Sequence, residues 1–561
     1  MLRLIALWVV GTGLFAGSAI GGEATSPRAM VATVNPIATD AGIAAFQGGG
    51  NAVDAAIAAA VTLGVVDGYN SGLGGGCFVL IRQPDGTILA IDGREMAPGA
   101  ASRDMYLRDG KADPELSRTG PLAIATPGAV AAYSLALELA GKKSLGDALL
   151  PAAELAEKGF KVDRMLARNI KSTAKSLARF PASRAVYLDA NGKPWKQGHR
   201  LIQSDLANTY RKTAEEGAPW FYRGQFAQEI GDWMQSNGGI LTAEDFAGYE
   251  AKRREPIIST YRGYTIVGFP PPSSGGLHVA QILNILENFD LGKLYSEEPA
   301  SAQHVVAEAM KLAFADRAYW LGDADFVPVP RGLLDKKYAR ELASKIQLDR
   351  AITVESHGQP PGWQDNSFGK HTTHISAADA DGTWVAITAT VNTTFGSKVI
   401  VPGTGVVLNN EMDDFSAQPG MPNAYKLIGA ENNAIAPGKR PLSSMSPTIV
   451  LKDGVPIFTV GAAGGPKIIT QALLAIVRQI DFEMPLHEAV AQPRIHHQWR
   501  PDQLFIEAKL DADVRSGLLD RGHKLEELDA GGVTQAIRWL PEERFFLGVH
   551  DPRVPGKAAG L

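Results

Sequence analysis

The sequence predicts an α+β fold in which helices pack on antiparallel sheet. A hairpin pattern covers residues 371–391, where two alternating polar and apolar runs flank the turn Asp381-Gly382. Helical periodicity recurs through much of 120–350. Further strand patterns at 448–451 and 457–460 precede a helical pattern at 468–480, so strands and helices both recur along the chain.

The first element has the three-part pattern of a secretory signal. Arg3 precedes an apolar run from Leu4 to Phe15, and small residues follow at 17–19. The run is about a dozen residues long, whereas roughly 20 are needed to span a bilayer. An uncleaved membrane anchor is the alternative. We expect residues 1–22 to be removed and the mature protein to be exported, secreted or periplasmic, with no stable membrane span.

Two helices are predicted next, over 37–47 and 51–63, with a break at Gly48–Gly50 and Asp40 as the cap of the first. The glycine-rich run Ser71–Gly76 then leads into a strand at 78–82. A dinucleotide-binding fingerprint would follow a strand and open a helix. These glycines follow a helix and open a strand, which argues against a dinucleotide site.

The middle of the chain, about 120–350, is predicted to be mostly helical. A polar stretch with Gly and Pro at 354–371 is typical of an exposed loop, and the most natural break in the chain lies at its end, before Thr372. The helices predicted in this region are 128–140, 153–158, 226–237 and 301–320.

Composition excludes several classes of protein. The 561 residues carry 55 Lys+Arg against 60 Asp+Glu, a net charge of -5, so the basic excess of a nucleic-acid-binding protein is missing. Cys77 is the one cysteine, which rules out an intramolecular disulfide and a Cys-rich zinc site. Hydrophobic residues make up 45% of the chain, enough for a substantial core.

Two histidines flank the start of the predicted hairpin. His371 and His374 are three residues apart in a strand pattern, so their side chains tend to face opposite ways, and no third ligand is evident. We therefore predict no metal there. On pattern alone, Thr372 between them is an ordinary strand residue.

Four blocks change the interpretation of Thr372. Together they resemble the γ-glutamyltransferase family of N-terminal-nucleophile hydrolases, occur in the family's order and cover nearly all of 27–561. The blocks are Gly49–Ala56 with Ser71–Gly76; Asp92–Pro98; Thr372–Ser376 with Asn392–Gly396 and Leu408–Phe415; and Lys439–Thr448 with Gly464-Gly465 and Pro493–Trp499.

This resemblance implies a four-layer αββα sandwich and a precursor that cuts itself before the catalytic threonine. The cut would fall between His371 and Thr372, giving a large subunit of 23–371 and a small subunit of 372–561 that form a heterodimer. A threonine hydroxyl is a weak nucleophile that needs a nearby base. The new α-amine of Thr372 would supply one, because its reference pKa is about 7.7–8.0. No cofactor is implied.

The resemblance also implies roles for the rest of the site. Arg94 would bind the donor's α-carboxylate, for which a planar guanidinium is well suited. Asp414 would bind the α-ammonium, and Tyr425 would cover the pocket as part of a lid. The remaining residues are Ser443 and Ser444 with the carboxylate, Glu411 and Asn392 beside Asp414, Gly464 and Gly465 in the oxyanion hole, and Thr390 and Thr373 near the nucleophile.

The implied activity is cleavage of the γ-glutamyl amide of glutathione and related compounds, with transfer of the acyl group to water, an amino acid or a peptide. Two alternatives remain: a related amidase or a cephalosporin or glutaryl acylase on the same scaffold, and an exported binding protein without activity. The chain departs from the family's usual residues at 67–68, 429–430, 462–463 and 466–467. Those departures bear on rate and on the choice of acceptor.

Overall fold

Two antiparallel sheets, stacked face to face between layers of helices, form the framework of the molecule. The computed structural model describes residues 22–361, 374–421, 423–528 and 531–561. Residues 1–21 of the predicted signal lie outside the described residues. The same holds for the bond between residues 371 and 372 and for Thr373. The strands are β1 Glu23–Ser26, β2 Ala29–Thr33, β3 Gly76–Arg82, β4 Ile88–Gly93, β5 Leu107–Arg108, β6 Lys111–Ala112, β7 Phe160–Lys161, β8 Arg200–Leu201, β9 Lys252–Arg254, β10 Ile257–Tyr261, β11 Tyr264–Gly268, β12 His374–Asp379, β13 Trp384–Thr390, β14 Thr448–Lys452, β15 Val455–Ala463, β16 Ile495–His496, β17 Leu504–Glu507, β18 Leu525–Leu528, β19 Val533–Leu540, β20 Phe545–His550 and β21 Lys557–Gly560.

The helices lie mainly outside the two sheets. They are α1 Pro36–Gln47, α2 Ala52–Val66, α3 Pro114–Arg118, α4 Ala129–Ala140, α5 Leu145–Lys158, α6 Arg164–Leu177, α7 Pro181–Tyr187, α8 Ser204–Glu216, α9 Ala218–Arg223, α10 Gln225–Asn237, α11 Ala243–Ala247, α12 Gly275–Leu286, α13 Leu291–Glu297, α14 Pro299–Trp320, α15 Lys336–Ala343, α16 Lys467–Ile480, α17 Leu486–Ala491 and α18 Ala512–Asp520.

Each large sheet has seven strands, and both combine strands from the two sides of residue 372. One sheet runs β1-β20-β19-β15-β14-β11-β10, and the other runs β21-β2-β12-β13-β3-β4-β9. The predicted hairpin is confirmed as β12 and β13, which pair antiparallel with Ser376 opposite Ala386. On its other edge β12 pairs with β2, so the first described strand after Thr372 lies inside the sheet.

Three apolar layers hold the sandwich together, because each sheet face that is shielded from water buries a row of side chains. Phe78 stacks on Phe269 between the two sheets, with ring centroids 4.2 Å apart. The small side chains of α2 pack on the outer face of the sheet that contains β12. Helices α12, α14 and α16 cover the outer face of the other sheet. This order of layers confirms the α+β, four-layer αββα prediction.

Local sequence explains some element boundaries, and one prediction is wrong. The cap of α1 is Asn35, whose side chain accepts a hydrogen bond from the backbone N–H of Ile37; Asp40 is exposed and pairs with Lys557 instead. The predicted middle of the chain is mostly helical, and it also contains five strands: β7 and β8, which pair with each other, and β9 to β11, which extend the edges of both sheets. Among the described residues, no helix has the length and apolar character required to cross a membrane.

Candidate active site

A cavity of about 470 Å³ opens where β15 ends and α16 begins. Gly464 and Gly465 line it, together with Asn392, Tyr425 and Lys467. The cavity therefore contains three kinds of predicted site residue: the two oxyanion glycines, the lid tyrosine and an asparagine of the substrate group.

The turn between β15 and α16 requires glycine. Gly464 and Gly465 have φ of 136° and 63°, in the region that other residues rarely adopt. A Cβ on Gly465 would lie 2.6 Å from the Tyr425 ring. Within the part of the chain that the structure describes, no group accepts a hydrogen bond from the backbone N–H of either glycine. Pro466, which has no N–H, takes the cap position of α16, where none is needed.

His374, at the start of β12, packs against the strand that leads to these glycines. A Cβ on Gly461 would lie 2.2 Å from Nδ1 of the His374 ring, so the ring packs where only a glycine leaves room for it. The imidazole is buried and hydrogen-bonds to Thr388 at 3.2 Å and Ser376 at 2.9 Å. Burial lowers the pKa of His374 to about 3, so the ring is neutral. Both nitrogens are engaged by hydroxyl groups, which leaves no metal role for His374.

Arg94 lies at the centre of a buried acidic cluster. Its guanidinium contacts the Asp414 carboxylate at 2.8 Å and Glu411 more closely, and Glu95 lies 3.5 Å away. Tyr249 donates to the Arg94 carbonyl oxygen at 2.6 Å, which fixes the backbone. The residues predicted to bind the donor's carboxylate and ammonium are thus partners of each other in the ligand-free protein.

Three carboxyl groups around one arginine cannot all remain ionised at low cost. Burial raises the pKa of Glu95 to about 7, with Arg94 opposing the shift. Burial likewise raises the pKa of Glu411 well above its usual range, again opposed by Arg94 and reinforced by Glu95. We conclude that Glu95 and Glu411 together retain a proton near neutral pH, as adjacent carboxyl groups do.

The two predicted serines lie in a loop that a second arginine holds. Ser444 Oγ accepts a hydrogen bond from Arg317 Nη2 at 3.2 Å, and the Ser443 carbonyl oxygen accepts from the same nitrogen at 3.4 Å. Ser274, just before α12, donates to the Ser443 carbonyl oxygen and accepts from Arg317 Nε at 2.9 Å. Sequence reasoning missed Arg317 because nothing in a helical pattern distinguishes a buried arginine from an exposed one.

Asn392 and Thr390 lie at the end of β13. Asn392 has φ of 74°, a conformation that a surrounding network must hold. Its backbone N–H donates to Thr390 Oγ1 at 2.7 Å, and its side chain donates to the Asn410 carbonyl oxygen at 3.0 Å. These bonds tie β13 to the segment that carries Glu411 and Asp414.

The glycine-rich run makes this junction possible. A Cβ on Gly75 would lie 1.8 Å from the Thr390 carbonyl oxygen, and one on Gly76 would lie 2.3 Å from the Glu95 carboxylate. The run leads into β3, as predicted. Because its glycines have no side chain, the backbone can pass close to Thr390 and Glu95.

Tyr425 closes one side of the cavity. Its hydroxyl donates to the Asn392 carbonyl oxygen at 2.7 Å, and its ring covers Gly465. Gln498 donates to the carbonyl oxygen of Lys426 at 3.1 Å and thereby fixes the segment from the opposite wall.

One cluster elsewhere has the composition of a metal site. Ligand atoms of His304, Glu308 and His523 lie within 4.8 Å of one another. The two imidazoles hydrogen-bond to each other at 2.7 Å, however, and the Lys311 ammonium lies 2.8 Å from Glu308. Because a cation already neutralises the carboxylate, this cluster is a closed structural network.

Sequence comparisons agree with the resemblance. The family model for Gamma-glutamyltranspeptidase matches residues 38–561. The "Glutathione hydrolase proenzyme" of Escherichia coli (strain K12) is 45% identical over 529 residues, which cover 94% of this chain and 90% of that protein. The "Acylase ACY 1 proenzyme" of Pseudomonas sp. (strain SE83) is 40% identical over 533 residues, or 92% of this chain and 91% of that protein.

A structural comparison gives the same fold. The crystal structure of a cephalosporin acylase from Bacillus halodurans has a TM-score of 0.87 and 28% sequence identity, and the match covers 99% of this chain and all of that one.

Proposed function

This chain belongs to the gamma-glutamyltranspeptidase family, and on that basis we propose that it cleaves the γ-glutamyl amide of glutathione and related compounds and passes the acyl group to water or to an amine. The family includes proteins named as glutathione hydrolases and others named as acylases. The choice between these two activities therefore depends on the residues that would bind the donor.

The nucleophile of this proposal is Thr372, released as a new N-terminus by cleavage after His371. The observation that carries the proposal is the packing of His374 against Gly461, three residues before Gly464. Thr372 is two residues from His374, a tether of at most about 7 Å. In the proposed arrangement, the Thr372 hydroxyl attacks a carbonyl carbon whose oxygen points at the N–H groups of Gly464 and Gly465.

The proposed reaction proceeds in two steps. The α-amine of Thr372 accepts the hydroxyl proton while the oxygen attacks the γ-amide carbon, and the glycine N–H groups stabilise the oxyanion. The leaving amine takes the proton as the C–N bond breaks, which leaves a γ-glutamyl ester on Thr372. Water or an acceptor amine then attacks the ester by the same route and regenerates the hydroxyl. Thr390, through its bond to Asn392, would support this end of β13.

The donor's amino-acid end would enter the cluster around Arg94. Its α-carboxylate would take the place of carboxylate partners on Arg94 and contact Ser443 and Ser444. Its α-ammonium would bind Asp414, with Glu411 and Asn392 beside it. What supports this arrangement is that a zwitterion brings one charge of each sign, so both Arg94 and Asp414 exchange one ionic partner for another.

Asp414 distinguishes the proposed activity from a glutaryl-type acylase. A dicarboxylic acyl group without an α-amine offers no cation to a buried acid, and an uncompensated buried charge is costly. A buried carboxylate at 414 therefore favours the γ-glutamyl donor. An inactive binding protein is the less favoured alternative, because the chain retains Thr372 and both oxyanion glycines.

The first experiment compares two anilides. Wild-type enzyme should release p-nitroaniline from γ-glutamyl-p-nitroanilide, and faster when glycylglycine is added as acceptor. Glutaryl-p-nitroanilide, which lacks the α-amine, should show a kcat/KM lower by a factor on the order of hundreds. Asp414→Asn should reduce this difference in kcat/KM between the two donors, because a neutral amide does not require a cation. Equal kcat/KM for the two donors would favour the acylase, and no release from either would favour the binding protein.

We also propose that the product is a heterodimer of 23–371 and 372–561 and that residues 1–22 direct export. The name "proenzyme" of the Escherichia coli relative supports the processing. The apolar run after Arg3 supports the export.

A further inference from the structure

We propose that Arg317 is a positioning residue that sets donor specificity: through the Ser443-Ser444 loop it makes the site selective for an acyl group that carries an α-carboxylate. The inference rests on the proposed function, because it concerns the γ-glutamyl donor. It names a residue on α14 that neither the family blocks nor the sequence pattern selected.

The partners of Arg317 differ in kind from those of Arg94. Arg317 is 2% exposed, and its hydrogen bonds go to the hydroxyls of Ser274 and Ser444 and to the Ser443 carbonyl oxygen. Within the described part of the chain, no carboxylate lies within ion-pair distance of Arg317. Arg94, by contrast, has three.

A buried guanidinium surrounded by neutral oxygens is an unusual arrangement. Burial disfavours its charged form and lowers the pKa of Arg317 to about 10, with only the more distant charge of Asp414 opposing the shift. The group is still a cation at neutral pH. An anion bound nearby would recover part of the charge–charge energy that the ligand-free protein lacks.

The geometry indicates where that anion would lie. Arg317 and Asp414 line the same small cavity, and the charge of Asp414 is felt at Arg317, so the cation lies in the same part of the site as the proposed ammonium ligand. Arg317 donates to Ser444 Oγ and to the Ser443 carbonyl oxygen, so it holds in place the loop that carries both predicted carboxylate ligands. A hydrogen bond from a cation also polarises the Ser444 hydroxyl and raises the positive potential at this loop.

Arg317 thus supplies the positive charge that Arg94 cannot supply alone. The cluster contains Arg94 and Arg317 against Glu95, Glu411 and Asp414, and one proton shared by the two glutamates makes the total neutral. A neutral cluster can accept a zwitterion. Without Arg317 the cluster would carry one net negative charge and would repel the donor's carboxylate while still attracting its ammonium.

The test uses two donors that differ only in the carboxylate: γ-glutamyl-p-nitroanilide and 4-aminobutyryl-p-nitroanilide. Arg317→Met should raise KM for the γ-glutamyl donor by about 10- to 100-fold, the range for loss of a charge-assisted bond. It should change kcat/KM for the 4-aminobutyryl donor by less than about threefold, since no carboxylate is present to be repelled. The preference between donors, a ratio that general damage to the fold does not move, should fall accordingly.

Arg478 provides the matched control. It is also buried and bonded to neutral oxygens, the carbonyls of Ala489, Gln492 and Pro493, at the far end of α16. Arg478→Met should leave the donor preference at its wild-type value even where it lowers stability.

An Arg317→Met enzyme with the wild-type donor preference would overturn the inference, as would equal losses on both donors. If that variant fails to fold, Arg317→Gln decides: its amide can still donate a hydrogen bond to the Ser443 carbonyl oxygen but carries no charge, so the preference should fall, and an unchanged preference overturns the proposal. Failure of the proposed function has a different signature, because wild-type enzyme would then not release p-nitroaniline from the γ-glutamyl donor.

Discussion

At the scale of single residues, Arg94 shows what a family motif predicts about a residue and what only the structure reveals. Without its block, Arg94 would be interpreted as a surface salt bridge, and the block implies a role in binding substrate. The structure adds that it is completely buried and neutralises a cluster of three acids. The sequence could not reveal this because Glu411 and Asp414 are more than 300 residues away along the chain.

Arg94→Met should therefore affect stability as well as KM. Removing the cation leaves Glu95, Glu411 and Asp414 buried together, which should lower the free energy of unfolding by about 3–5 kcal/mol. The pKa of Glu95 is already about 7, above its usual 4.5, so the folded state holds a proton that the unfolded state releases, and stability falls as pH rises between those values. Without Arg94 that pKa rises further.

Urea unfolding at pH 5 and pH 8 measures this effect. The loss of stability in Arg94→Met should be larger at pH 8. Arg94→Lys, which keeps the charge but not the two-pronged guanidinium, should recover most of the stability while KM for the donor stays high. A loss that is equal at both pH values would mean that the acids do not depend on Arg94.

At the scale of elements, the turn between β15 and α16 determines the shape of the oxyanion site. Gly465 has a positive φ and a tyrosine ring against its α-carbon, so both conformation and space require glycine. The chain's departures at Ala462-Ala463 and Pro466-Lys467 flank this turn and leave its two glycines unchanged.

Gly465→Ala should lower kcat by roughly 10- to 100-fold, because backbone strain of about 1–3 kcal/mol moves a donor of the oxyanion hole. Gly454→Ala is the matched control: it has φ of 78°, in the turn between β14 and β15, with open space where the Cβ would go. Both variants should lose stability in thermal unfolding, Gly465→Ala more because its Cβ also meets the Tyr425 ring, and only Gly465→Ala should lose kcat. Equal kcat in the two would exclude Gly465 from the oxyanion hole.

Elements that are formed by interactions between residues close in sequence were predicted better than elements that depend on distant residues. Helices α1, α10 and α14 and the hairpin of β12 and β13 begin and end within a few residues of prediction, since local periodicity and turn chemistry specify them. Strands β9 and β11 pair with β4 and β14, which lie far away in sequence. Strands β10 and β11 also pair with each other as a short hairpin, which the prediction missed. Family motifs identified Arg94, Glu411 and Asp414 as site residues one by one. Their contact with one another, and the place of Arg317 beside the Ser443 loop, needed the three-dimensional packing.

At the scale of the whole molecule, both sheets depend on strands from both proposed subunits. β12 lies between β2 of the first subunit and β13 of the second. In the other sheet, β20 of the second subunit pairs with β1 of the first, and β14 of the second pairs with β11 of the first. Cleavage before Thr372 would therefore leave two chains that share one core.

Wild-type protein should run on a denaturing gel as two chains of about 37 and 20 kDa, scaled by residue number from 59.7 kDa for the whole sequence. Thr372→Ala should remain a single chain, because the hydroxyl that starts the cleavage is missing. Thr372→Ser keeps a hydroxyl and should be processed, at a lower rate. If Thr372→Ala still splits at this bond, Thr372 is not the nucleophile.

The shared sheets have a consequence for reversibility. An intact precursor refolds at a rate that does not depend on protein concentration, whereas two separated chains must first collide before β12 can insert beside β2. Dilution would slow the second process and not the first, so the single cut turns a unimolecular refolding reaction into a bimolecular one. At low concentration, a cleaved enzyme would persist only because it unfolds slowly, and two chains that had fully separated would not reassemble.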